Sequence, residues 1–233
     1  MKCDVTDQQK VDYWKRQLQD CDYVSESLAS ELLRDFGIPM IQSLKVSSQD
    51  ELHAAALNVG FPLVLKTAVR GINHKTEVGG VILDISDQYQ LRDAYQDLLQ
   101  RLGPAVTVSP MADSSGVEMI LGVSRDDQFG PTVVVGFGGI YAEILSDVAV
   151  MLPPFDSAEV KRVLKSLSMY PLLEGVRGGS PLDIDSYCDV AAKMSAIALA
   201  LSDSVVEIDI NPVRLGVKGC IGLDALVVQE QKN

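Results

Sequence analysis

The chain has 233 residues, 47% hydrophobic and 22% charged, enough apolar material for a buried core in one domain with two lobes or in two small domains, which excludes a wholly disordered protein. With 20 Lys and Arg against 32 Asp and Glu the formal charge is -12, so there is no basic face for non-specific binding to nucleic acid or an anionic membrane. Cys3, Cys21, Cys188 and Cys220 show neither C-x-x-C nor zinc spacing, and the chain has no signal-like core or run of ~18 apolar residues, so reduced structural thiols and a cytoplasmic location are expected.

Residues 1–21 are polar and read as an arm, loose or helical, with Trp14 as an isolated anchor. Ser25 then caps a helix carrying Leu28, Leu32, Leu33 and Phe36 at helical spacing, stopped by Gly37 and Pro39. Ser47 or Ser48 caps a second, with Leu52, Ala55, Ala56 and Val59 on its apolar face and Gly60 at its end. His53 falls among polar neighbours on that helix, as an exposed surface histidine. Short apolar or β-branched runs bounded by Gly, Pro or Asp predict strands at 63–66, 81–85, 106–110, 117–123 and 132–136, interrupted by a helix at 87–102. Helices return at 157–168 and 184–202, and strands at 205–210 and 220–228 close the chain across a turn-rich connection, NPVRLGVKG. Strands that do not alternate regularly with helices favour an α+β fold with largely antiparallel sheets over a doubly wound parallel sheet. The GFGG run at 136–139 lacks the third glycine of a dinucleotide loop.

Chemistry concentrates in a few segments. In VLKTAVRGINHKTEVGGV a strand ends at Lys66, a basic loop carries His74, and Gly79 and Gly80 open the next strand. Lysine can neutralise phosphate oxygens as a point charge, glycine amides can approach an anion, and a neutral imidazole can accept and release a phosphoryl group near neutral pH. The plain alternative is a turn between two strands with a solvated histidine.

In VEIDINPV, alternation puts Glu207, Asp209 and Asn211 on one strand face, and a strand folding back would bring Asp224 beside them. Such oxygen donors suit Mg²⁺ bound together with nucleotide phosphates, and a divalent ion would offset phosphate charge in this acidic chain; a merely wet edge hairpin is the alternative. Glu118 is a carboxylate in a mostly apolar strand row and needs a partner there: a ribose hydroxyl, a lysine, a backbone amide, or a salt bridge to a neighbouring strand. The loop from Asp126 to Pro131 reads as turn chemistry. Successive glycine amides precede Glu143 and Asp147, acids able to position a histidine, and Arg177 in EGVRGG suits a phosphate or carboxylate clamp or a tether to Asp183.

Taken in order, KTAVRGINHKTEVGGV, GVEMILGVSRDDQFGP, GFGGIYAEILSDVA, LLEGVRGGSPLD and VEIDINPV with LDALVV resemble the ATP-grasp subunit of ADP-forming acetate or acyl-CoA ligases, from about residue 25 to 228. The β chain of succinyl-CoA synthetases is similar at greater distance. The resemblance implies an ATP-grasp fold of two α+β lobes clasping a nucleotide between mainly antiparallel sheets, with a small lobe at 22–110 and a large lobe at 111–228. It implies ATP or ADP and Mg²⁺ as cofactors, and a separate CoA-binding α subunit as partner in an α₂β₂ assembly. Lys66, Gly79, Gly80 and Glu118 would then lie at the nucleotide and Asn211 and Asp224 would hold Mg²⁺. His74 would relay a phosphoryl group from a phosphohistidine on the partner to ADP, with Glu143 and Arg177 in the catalytic set. Two features depart from the family pattern: Ser109-Pro110-Met111 replaces a glutamine before Pro-Met, and TAVRGINHK lacks a serine-proline step before its histidine. A nucleotide-sensing ATP-grasp module without catalysis, and an ATP-grasp ligase acting directly on a carboxylate and an amine, are the competing functional classes.

Overall fold

The computed structural model describes residues 7–72, 75–139, 146–176 and 178–230. The polar N-terminal segment is a packed helix, α1 (Gln8–Asp20), started by the Asp7 carboxylate, which accepts from the backbone N–H of Gln9 and Lys10. Val11, Trp14 and Leu18 recur at helical spacing and are buried. Trp14 is 2% exposed, and its indole N–H donates to the Asp35 carboxylate at 2.7 Å. Trp14 is therefore part of the core and not an isolated anchor. Trp14→Ala should destabilise the protein by about 3–5 kcal/mol, through the lost apolar contacts and the cavity they leave. Urea unfolding of both proteins measures this, and a difference below about 1 kcal/mol would contradict the packed position of α1.

Two compact units emerge, one formed by Ile41–Asp113 and the other by Met1–Met40 with Ser114–Asn233. This differs from boundaries drawn at 22 and 111. Residues 22–40 belong with the C-terminal segment because Val24, Ala29, Leu32, Leu33, Phe36 and Ile38, around helix α2 (Glu26–Asp35), are buried in the core of that unit.

The first unit contains β1 (Leu44–Val46), α3 (Gln49–Val59), β2 (Leu63–Thr67), β3 (Val81–Ile85), α4 (Gln88–Arg101) and β4 (Val106–Pro110). Its four strands pair antiparallel in the order β1-β4-β2-β3. Leu63, Leu65, Val106 and Val108 share a core with Leu52 and Ala56 of α3 and Leu91, Tyr95 and Leu98 of α4, so both helices cover the same face of the sheet. Asp87 caps α4, its carboxylate accepting from the N–H of Tyr89 and Gln90.

The second unit holds β5 (Val117–Asp126), β6 (Gly130–Phe137), β7 (Val148–Met151), α5 (Ser157–Leu164), α6 (Ile184–Ala200), β8 (Val205–Leu215), β9 (Cys220–Gly222) and β10 (Ala225–Gln229), besides α1 and α2. Its antiparallel sheet runs β10-β8-β5-β6-β7, with β9 on the far part of β8. Met119, Leu121, Val133, Val135, Ile208, Ile210, Val213 and Leu215 point into a core shared with α1, α2, α5 and α6. Tyr187 on α6 stitches that core to the sheet: its hydroxyl donates to the Ile120 carbonyl at 2.5 Å and accepts from the Gly136 N–H at 3.3 Å. Burial holds its phenol protonated, well above the ordinary tyrosine range.

The closing hairpin is longer than expected. β8 continues through Asn211 and Pro212 to Leu215, and the turn is confined to 216–219, where Gly216 N–H donates to the Gly219 carbonyl. The extension works because β8 carries one extra residue: Leu121 pairs with Ile210 but Met119 with Val213. This bulge accommodates Pro212 and shifts the side-chain alternation by one.

Candidate functional site

The bulge shapes one sheet face. Before it, Ile208 and Ile210 point into the core and Glu207, Asp209 and Asn211 point away; after it, Val213 and Leu215 point inward, leaving Arg214 on the face that carries the acids. On β10, Ala225 pairs with Ile210, Leu226 with Asp209 and Val228 with Glu207, while the Leu223 N–H donates to the Pro212 carbonyl at 2.9 Å. Asp224 is therefore flanked by residues that register with Ile210 and Pro212, which sets it alongside Asn211. Asn211 is exposed and Asp224 half-buried, with one carboxylate oxygen accepting from the Ala225 N–H at 2.9 Å.

Across β5, Gly122 pairs with Asp209 and Ser124 with Glu207. A Cβ on Gly122 would lie 3.6 Å from Asp209 Oδ1, so the glycine sits directly against that carboxylate. Among the described residues no three His, Cys, Asp or Glu side chains form a self-contained metal cage. A hard ion that keeps most of its waters and shares phosphate oxygens needs only one or two protein oxygens, and the Asn211 and Asp224 pair is a donor set of that kind.

Glu118 shares this face, directly opposite Arg214 in the β5–β8 register. Arg214 Nη2 donates to Glu118 Oε1 at 2.8 Å and Nη1 to the Ser114 carbonyl at 3.1 Å. Of the partners considered for Glu118, the structure provides the salt bridge to a neighbouring strand. The Nε of Arg214 is buried without a hydrogen-bond partner among the described residues. Gly139, at φ +59°, presses against Glu118 Oε2, where any side chain would collide. Arg214 was not singled out from sequence, because its orientation depends on the bulge three residues earlier.

In the four-stranded sheet, Lys66 registers with Thr107, which also registers with Lys45 on β1. The two lysines thus flank Thr107 on the face opposite α3 and α4. Lys45 had no signal in the sequence, since β1 has only three residues. Ser109, at 4% exposure, lies on that same face of β4, and the N–H of Met111 donates to the Pro62 carbonyl.

The glycine pair differs from expectation. Gly79 N–H donates to the Thr76 carbonyl at 3.0 Å and Gly80 N–H to the Lys75 carbonyl at 2.7 Å, so both amides are engaged inside the turn instead of being offered to an anion. Gly80 is needed for space: a Cβ there would lie 2.6 Å from Thr67 Cγ2 and 3.0 Å from the Lys75 carbonyl oxygen. Gly80→Ala should therefore cost about 1–3 kcal/mol by overpacking, measured by thermal or urea unfolding. An unchanged midpoint would show that the turn sits elsewhere.

His74, Glu143 and Arg177 lie outside the described residues. Their neighbours have defined partners. The Asp147 carboxylate accepts from the N–H of Ser168 and Met169 at 3.0 and 2.8 Å, anchoring that segment to the start of β7. Asp183 caps α6 through the Ser186 N–H and also accepts from Gly219 N–H. His53 is exposed on α3, with Nδ1 3.4 Å from Gln88 Oε1, and Asp126 accepts from the N–H of Gln128 and Phe129 in a local turn.

The model of the ATP-grasp domain matches residues 17–228. The chain belongs to the ATP-grasp family. It is 33% identical over 213 residues to the acetate–CoA ligase [ADP-forming] I subunit beta of Pyrococcus furiosus, covering 87% of this chain and 90% of that subunit. It is 35% identical over 218 residues to a trans-feruloyl-CoA synthase of an unknown prokaryotic organism, covering 89% of this chain but spanning only 31% of that longer protein. Among solved structures, the dinucleotide forming acetyl-coenzyme A synthetase 1 of Ca. Korarchaeum cryptofilum matches at TM-score 0.84 and 30% identity, over 94% of this chain and 98% of that one, in its complex with coenzyme A, Ca-AMPCP and HgCl+. Its complex with coenzyme A and Mg-AMPPCP, described with a phosphohistidine segment pointing towards the nucleotide binding site, matches at TM-score 0.80 and 30% identity, over 95% of this chain and 100% of that one. The ATP-grasp fold and its antiparallel sheets thus agree with the sequence reading.

Proposed function

We propose that the chain is the nucleotide-binding β subunit of a cytoplasmic ADP-forming acyl-CoA synthetase, working with a separate CoA-binding α subunit in an α₂β₂ assembly. The observation that carries this reading is the oxygen-bearing face of β8 and β10, with Asn211 alongside Asp224 and Asp209 opposite Gly122. The 33% identity to a ligase β subunit of Pyrococcus furiosus, over 90% of that subunit, supports the nucleotide-binding role.

In this scheme Asn211 and Asp224 hold Mg²⁺, Glu207 and Asp209 support them, and Lys66 neutralises phosphate oxygens. The ion, when bound, supplies charge neutralisation for the polyphosphate. His74 accepts a phosphoryl group from the partner's phosphohistidine: a P–N bond forms on His74 as the P–N bond on the partner breaks. A terminal phosphate oxygen of ADP then attacks that phosphorus, forming the new P–O bond of ATP and returning a neutral imidazole. Positioning and charge neutralisation account for most of the acceleration in such transfers. Glu143 and Arg177 are assigned to the transfer path by resemblance, and Glu118 acts through its pair with Arg214 and not as a free ligand.

The reverse half-reaction tests this. Incubated with Mg-ATP labelled on the γ-phosphate, the chain should acquire an acid-labile, base-stable phosphate that added ADP returns to ATP. A base-labile label on a carboxylate, or none, would favour the nucleotide-sensing class; steady ADP release without a phosphoenzyme would favour a direct carboxylate–amine ligase.

A further inference from the structure

The turn Lys75–Gly80 leads directly out of the His74 loop, and one side chain from another element grips its backbone. Arg101, the last residue of α4, donates from Nη1 to the Val78 carbonyl at 3.1 Å and from Nη2 to the Gly79 carbonyl at 2.9 Å. The same guanidinium is held from behind by Asp97, one helical turn earlier: Nε lies 3.0 and 3.1 Å from its two carboxylate oxygens, and Nη2 lies 2.6 Å from Oδ2. Four of the five N–H groups of a rigid planar fork are thereby committed. The hydrogen bonds from Arg101 hold the Asp97 carboxyl below the usual carboxylate range.

From this geometry we infer that Arg101 is a positioning residue for phosphoryl transfer, fixing the backbone exit of the loop that presents His74; this rests on the relay proposed above. Two further observations support it. The turn is tightly constrained elsewhere, with the Gly80 carbonyl accepting from the Thr67 N–H at 2.7 Å and Gly80 packed against Thr67, so the Arg101 grip completes a fixed hinge one residue beyond Lys66. The Arg101 and Asp97 side chains are also 41% and 51% exposed. Pairs so exposed contribute little to global stability, so an effect on catalysis would not come from unfolding. A lysine at this position could not reproduce the grip, because a single ammonium cannot span two carbonyls and a carboxylate in that plane.

The test uses the full chain, with Arg101→Gln and Arg101→Lys as variants and Asp97→Asn as a second route to the same defect. Peptide-level amide hydrogen exchange should quicken across Thr76–Gly80 in each variant by about tenfold or more, with the melting temperature nearly unchanged. The initial rate of base-stable labelling by Mg-ATP should fall about 10- to 100-fold, whereas the dissociation constant of Mg-AMPPCP should change less than about twofold. Exchange or labelling at wild-type rates in Arg101→Gln would overturn the positioning role, as would a loss of nucleotide affinity matching the loss of rate. If the exchange difference is present but wild-type protein takes up no base-stable phosphate, the histidine relay and the catalytic part of this inference both fall, while the grip on the turn stands as a structural feature.

Discussion

His74→Ala should lose the base-stable phosphate altogether and slow ATP formation from acyl-CoA, phosphate and ADP, assayed with the CoA-binding partner, by about 10³-fold or more. The expected size follows from removing the group that receives the phosphoryl in the proposed relay. Nucleotide affinity should stay within about twofold, because the proposed relay makes the imidazole an acceptor and not an anchor for the polyphosphate. His53, exposed on α3, is the internal control. His53→Ala should label normally, and label persisting in His74→Ala would point to another acceptor.

The second large effect should come from the hairpin proposed to hold Mg²⁺. With Asn211→Ala or Asp224→Asn, the Mg²⁺ concentration giving half-maximal labelling should rise by about 10- to 100-fold. The double variant should exceed either single one by less than the product of their effects, because two ligands of one ion are coupled. Glu118→Gln should behave differently. Glu118 is paired with Arg214, so its loss leaves a guanidinium without its carboxylate and should show first as lowered stability in urea unfolding, with the Mg²⁺ requirement little changed. A Mg²⁺ shift in Glu118→Gln as large as that in Asp224→Asn would place Glu118 among the metal ligands.

Local rules made much of this readable beforehand. Helix α4 (Gln88–Arg101) falls within the expected 87–102, and period-two alternation in VEIDINPV correctly separated the acids from Ile208 and Ile210. Information that depends on long-range pairing was not accessible in the same way. The three-residue β1 is too short to show periodicity, so Lys45 could not be placed on the sheet face that carries Lys66. The bulge opposite Met119 and Leu121 reverses the alternation at Pro212, and only that reversal turns Arg214 toward Glu118. Gly79 and Gly80 looked like anion donors because glycine permits close approach, but their N–H groups close a turn. Trp14 appeared isolated because its partners, including Asp35 on α2, lie on another element.

The most direct measurement is anomalous diffraction from a crystal soaked with AMPPCP and Mn²⁺, which takes the same six-oxygen coordination as Mg²⁺. The expected result is a manganese peak about 2 Å from oxygens of both Asn211 and Asp224, joined to phosphate oxygens of the nucleotide. Bound nucleotide whose manganese is ligated elsewhere, with Asn211 and Asp224 touching only solvent, would contradict the assignment of this sheet face and the relay built on it.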